Sequence, residues 1–165
     1  MATLLGNFSL ANVTVQLQAL IETPEAGYEP AAEPYVLLGL HAGSGSAGGS
    51  GPRSFYRQGP DADFLWLSAA GQWGCSLAGS PPECSSSHAL PAGFGFDSWH
   101  NISLGELPLP GGGAQLSAAV DGQQLFSITQ APGSLKNGGA GGYVLLVTGC
   151  HRAQFDNLLI EQTPA

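Results

Sequence analysis

An antiparallel all-β sandwich is the fold this sequence predicts, and three observations carry the prediction. Apolar residues recur with a period of two along much of the chain, which is the period of a half-buried strand. No stretch of ten residues places apolar side chains at i, i+3 and i+4, and no helix start signal is followed by a periodic run. The 25 Gly and 12 Pro fall mostly between the apolar runs, where the turns of a sandwich or jelly roll belong.

The elements follow in order. In VTVQLQALIE (13–22), Val13, Val15, Leu17, Ala19 and Ile21 share one face, while Thr14, Gln16 and Gln18 occupy the other. That pattern is a strand with one face on a core and one in water. PYVLLGLHA (34–42) and DFLWLSA (63–69) have little polar alternation and are expected to be covered on both faces. WHNISLGEL (99–107) alternates again. AQLSAAV and QQLFSIT flank Asp121-Gly122, the strongest short hairpin signal, because both central residues of a type I′ turn need positive φ. GGYVLLVTG (141–149) and AQFDNLLIEQ (153–162) complete the set. The Gly/Ser-rich tract 42–52 reads as a long flexible hairpin loop within a single domain spanning 1–165.

Charge narrows the function. There are 4 Lys and Arg against 12 Asp and Glu, a net charge of −8. Phosphate backbones and anionic membrane surfaces need a basic footprint, and Arg53, Arg57, Lys136 and Arg152 are scattered. The apolar content of 43% exceeds that of a disordered acidic chain, and no apolar run reaches the ~18 residues of a membrane span. The N-terminus lacks the basic and apolar regions of a signal peptide. Three sequons, at Asn7, Asn12 and Asn101, are candidate glycosylation sites of a secreted or lumenal domain. Cys75 and Cys84 bracket a short loop suited to a disulfide, leaving Cys150 over.

Catalytic signatures are missing: there is no Gly-x-Ser-x-Gly elbow and no Walker ending to the Gly-rich tract. His41, His88, His100 and His151 are isolated in sequence and are expected on the surface or in satisfied structural roles. Asp61 and Asp63 precede a strand and read as turn residues. Asp156, within Phe155-Asp156-Asn157, is read either as a strand-edge carboxylate accepting backbone N–H bonds or as a calcium ligand, with Glu22 or Asn7 as co-ligand. Among aromatic platforms for a sugar ring, Trp66 and Trp99 are expected in the core. Trp73, between Gly71 and Gly74, and Tyr56, after the flexible loop, are the expected exposed ones.

The segments GNFSLANVT, VTVQLQAL and IETPEAG at the start, FLWLSAAGQW and DSWHNISL in the middle, and LKNGGAGGYVLLVTGCHRAQFDNLLIE at the end resemble, in this order, the C-terminal lectin-like domain of galactocerebrosidase (galactosylceramidase) family glycoside hydrolases. The resemblance implies a concanavalin A/laminin G-like jelly roll that packs on a catalytic β/α barrel and borders a pocket for galactosyl lipid. It further implies a lysosomal, N-glycosylated parent enzyme and a structural Ca²⁺. The barrel and its two catalytic glutamates have no counterpart in the chain. The expected function is therefore non-catalytic carbohydrate binding, with pure structural docking on a barrel as the alternative.

Overall fold

The structure, a computed structural model, describes residues 2–8, 12–26, 33–43, 61–136, 142–149 and 151–162, with the side chains of Asn7 and Phe8 outside the description. Its strands are β1 (Ala2–Phe8), β2 (Val13–Ile21), β3 (Tyr35–Ala42), β4 (Asp63–Ser68), β5 (Gln72–Ser76), β6 (His88–Ala89), β7 (His100–Pro108), β8 (Ala114–Val120), β9 (Gln123–Gln130), β10 (Gly142–Gly149) and β11 (Ala153–Gln162). A six-stranded sheet runs β1-β10-β3-β4-β5-β6 and a five-stranded sheet runs β11-β2-β7-β8-β9. Every strand pair is antiparallel. This is the jelly-roll sandwich that the period-two pattern predicts. No helix among the described residues is long and apolar enough to cross a membrane.

The alternation of β2 works as written in the sequence. Val13, Val15, Leu17, Ala19 and Ile21 are buried between the sheets and the intervening residues are less so. They meet Val36, Leu38 and Leu40 of β3, Leu65 and Leu67 of β4, and Ile102 and Leu104 of β7. Burying each such side chain contributes about 1.5–3 kcal/mol. In the six-stranded sheet the second face is apolar too. Tyr35, Leu37, Phe64, Leu145 and Val147 form a separate buried cluster there, so β3 and β4 read as continuous apolar runs. The Tyr35 ring lies against Gly149 and the Trp66 ring against Gly74, where a Cβ would collide with either ring.

Turn chemistry fixes the hairpins. Asp121 and Gly122 have φ of +50° and +78°, and Val120 pairs with Gln123, which is the predicted type I′ turn. The sequence places Trp73 in a turn, whereas Gln72–Ser76 is strand β5; the turn lies two residues before Trp73, at Gly71 with φ +76°. The connection 80–97 is anchored by the Cys75–Cys84 disulfide and carries a 3₁₀ turn, Pro82–Cys84, and the short β6. Most of the Gly/Ser-rich tract 42–52, together with Tyr56, Arg53, Arg57 and Cys150, lies outside the described residues.

Candidate functional site

Two polar constellations are built by this framework. The first is inside it. β3 carries a bulge: Tyr143 pairs with Ala42 and Leu145 with Gly39, so two residues, Leu40 and His41, face Val144. His41 has φ +55°, a left-handed conformation that His tolerates better than a branched residue. The bulge changes the alternation and turns the imidazole into the space between the sheets. There Nδ1 lies 3.0 Å from Asp63 Oδ2 and Nε2 lies 2.7 Å from Glu106 Oε2. Asp63 Oδ1 also accepts the Ala78 N–H at 2.8 Å, and Oδ2 accepts the Lys136 N–H at 3.0 Å.

All three side chains are buried. Burial alone pushes the His41 pKa down, but hydrogen bonds and charge from both carboxylates outweigh it and raise the value to about 9. The imidazolium therefore clamps β3 and β4 of one sheet to β7 of the other. Asp63 is thus no turn residue, as its sequence context suggests, but the start of a strand and a buried partner of His41. His41 fills the satisfied structural role expected of an isolated histidine.

The second constellation is the outward face of the five-stranded sheet. Register places its side chains in rows. Leu159, Gln16, Ser103, Ala119 and Gln124 align across β11, β2, β7, β8 and β9. Glu161, Thr14, Gly105, Ser117 and Ser127 form the next row. The middles of the central strands carry the small residues Ser103, Gly105, Ser117 and Ala119, with Asn101, Leu107 and Gln115 on the same face toward their ends, whereas β2 and β9 carry Gln16, Gln18 and Gln124. The result is a shallow trough along β7 and β8, with amide side chains on its walls.

Side-chain hydrogen bonds order this face, reaching Asn101 on β7 and Gln115 on β8 as well as the flanking strands. Asn157 Nδ2 donates to Gln18 Oε1 at 2.7 Å, and Gln18 Nε2 donates to Asn101 Oδ1 at 3.1 Å. Gln115 Nε2 donates to Ser127 Oγ at 2.8 Å. At one end of β7, Trp99 is 42% exposed. The alternation that sends Asn101 and Ser103 outward sends Trp99 to the same face. At the other end Leu107 is exposed.

The predicted site residues distribute unevenly over this geometry. Trp73, expected exposed, is only 6% exposed. It stacks on His88 with centroids 4.5 Å apart and lies 5.9 Å from the Phe126 ring. It points inward because it sits on β5 in register with Leu67. Trp99, expected in the core, is the exposed tryptophan, because it lies just before β7 and out of phase with Ile102 and Leu104. Tyr56 is outside the described residues.

Asp156 follows its structural reading: it is exposed on the edge strand β11 and its Oδ1 accepts the Asn157 N–H at 2.7 Å. Glu22 instead accepts from Gln154 Nε2 at 2.8 Å, and its N–H bonds Arg152 O. Asp156 pairs with Gln18, so the two carboxylates are offset by four residues, roughly 13 Å at the rise of a strand. They do not converge as ligands of one calcium ion. Among the described residues no group of three or more His, Cys, Asp or Glu is placed to hold a metal.

The predicted Cys75–Cys84 disulfide is present. Of the sequon asparagines, Asn12 has φ +58° and precedes β2. Asn101 is exposed within β7, and the Asn7 side chain lies outside the description.

No protein-family model matches the chain, and no curated protein matches it. Solved structures do. The chain superposes on the carbohydrate-binding module CBM66 from Bacillus subtilis with TM-score 0.52 and 10% identity, over 95% of this chain and 78% of that one. Against alginate lyase Aly36B the TM-score is 0.56 with 8% identity, over 98% and 73% of the two chains. Against a variant of the Emp46p carbohydrate recognition domain the TM-score is 0.54 with 12% identity, over 96% and 74%. At such identities the likeness is one of fold.

Proposed function

We propose that this chain is a non-catalytic carbohydrate-binding domain and that it holds its ligand on the outward face of the five-stranded sheet. The single observation that carries the reading is the trough of small residues walled by hydrogen-bonded amides, with the exposed Trp99 at its end. Amides donate and accept at once, as sugar hydroxyls do, and an aromatic ring offers an apolar face to a pyranose. The buried His41 cluster supports the reading by its position: it lies between the sheets, where it serves the fold rather than a substrate. The fold shared with a carbohydrate-binding module and a carbohydrate recognition domain supports it as well.

The finer identity rests on the resemblance of segments such as IETPEAG and FDNLLIE. On that ground the domain belongs with a galactocerebrosidase-like hydrolase of galactosyl lipids, beside a catalytic barrel that supplies the reacting groups. The Cys75–Cys84 disulfide and the sequons at Asn7 and Asn12 suit an oxidising lumenal, lysosomal or extracellular compartment. A second reading, docking on a barrel without sugar binding, draws on Leu158 and Leu159, exposed side by side on edge strand β11.

A glycan array followed by calorimetry tests the function. Binding of at least one glycan class, weakened by Trp99→Ala with an unchanged melt, is expected. No binding to any glycan at millimolar concentration would overturn it in favour of docking.

A further inference from the structure

Resting on the carbohydrate-binding reading, we infer that the ligand is an extended, uncharged oligosaccharide lying along β7 and β8, and that polyuronates are excluded. Three observations define this class.

The first is charge. The trough is lined by amides, hydroxyls and small residues, and none of the strands β2, β7, β8, β9 and β11 contains a Lys or Arg. The one described arginine near that sheet, Arg152, is solvent-exposed and 3.6 Å from Glu25. Asp156 and Glu161 stand on β11 at the flank, and the whole chain carries a net charge of −8. A chain of carboxylated sugars needs cations within a few ångströms; here it meets only like charge. A neutral hydroxyl array faces no such penalty and finds donors and acceptors on both walls.

The second is shape. From Trp99, just before β7, to Leu107 the outward face of this strand extends over eight residue steps, roughly 26 Å at the rise of a strand. That length takes several pyranose units in line, where a single sugar would occupy one end only. The surface is lowest in the middle of β7 and β8, because Ser103, Ser117 and Ala119 have small side chains. Gly105 between them is itself buried, and Thr14 Oγ1 lies 2.9 Å from where its Cβ would stand, so Thr14 forms the surface there.

The third is polarity along the axis. Trp99 marks one end with a flat apolar surface, while the middle offers only hydroxyls and amides. A stacked terminal or near-terminal sugar at Trp99 then sets the register of the units that follow.

The test titrates the full chain, with backbone amide NMR as readout, against neutral hexasaccharides of glucose, mannose or galactose. A size-matched oligomannuronate is run in parallel, each at low and at high salt. The expected result is binding of a neutral hexasaccharide that is insensitive to salt and at least tenfold tighter than its monosaccharide. Its shifts should centre on Ser103, Gly105 and Ser117, and the oligomannuronate should give none. Ser117→Gln, which fills the floor, should weaken binding at least fivefold with the melt as the folding control. Trp99→Ala provides a second variant outside the sheet.

Binding of the oligomannuronate would overturn the inference and leave the carbohydrate-binding reading standing. So would monosaccharide affinity equal to that of the hexamer, or shifts confined to the other sheet. Failure of every saccharide would overturn that reading itself.

Discussion

His41 Nε2 lies 2.7 Å from Glu106 Oε2, and this contact joins the six-stranded sheet to the five-stranded sheet through the interior of the sandwich. Asp63 holds the other nitrogen and ties in the backbone of Ala78 and Lys136. One imidazole thus fixes both sheets and two connecting segments.

The clamp makes stability depend on alkaline pH. The folded His41 pKa is raised from 6.5 to about 9, so the folded state binds this proton more tightly than the unfolded chain does. The stabilisation is complete below about pH 6.5, fades as pH rises, and is lost above about 9. A shift of this size corresponds to about 3 kcal/mol. Denaturant melts from pH 6 to pH 10 should show the decline, and His41→Gln should flatten it. A wild-type profile that is level across this range would contradict the assignment.

Removing one partner should cost more than removing the charge. His41→Ala leaves Asp63 and Glu106 buried without their cation, and a loss of about 3–5 kcal/mol is expected. Replacing all three by apolar residues of similar volume should recover most of that. Equilibrium unfolding of the single and triple variants measures both.

The disulfide closes a segment of sequence separation 9, for which chain entropy gives about 2–3 kcal/mol. Reduction, or Cys84→Ser, should lower the melting temperature while leaving the sheet register intact. Circular dichroism melts with and without reductant provide the comparison.

The two tryptophans should respond in opposite ways. Trp73 is packed against Phe126 in the core, so Trp73→Ala should cost about 3–5 kcal/mol of stability. Trp99 is exposed, so Trp99→Ala should leave the melt unchanged and weaken sugar binding by about 1 kcal/mol, roughly fivefold. Ligand-induced fluorescence change should survive in Trp66→Phe and vanish in Trp99→Phe.

Much of this fold was legible in the chain because strands announce themselves locally. The alternation in 13–21 and the Asp121-Gly122 turn need no knowledge of distant residues. The outward amides of the site, Gln16 and Gln18, were visible as the polar half of that same alternation, although their grouping with Asn101 and Ser103 depends on register across strands. The clamp was not legible. His41 turns inward only because a bulge breaks the alternation of an apolar strand, and its partners are 22 and 65 residues away. Trp73 and Trp99 were exchanged for a related reason. Both stand beside turn residues, and the phase of each side chain is set by the exact residue at which its strand begins.

The most direct test of the account is an amide NMR titration of the full chain with a neutral hexasaccharide. The account predicts saturable shifts along β7 and β8, centred on Ser103, Gly105 and Ser117, together with the Trp99 indole and without the Trp73 indole. The absence of shifts at millimolar sugar, or shifts confined to the six-stranded sheet, would contradict it.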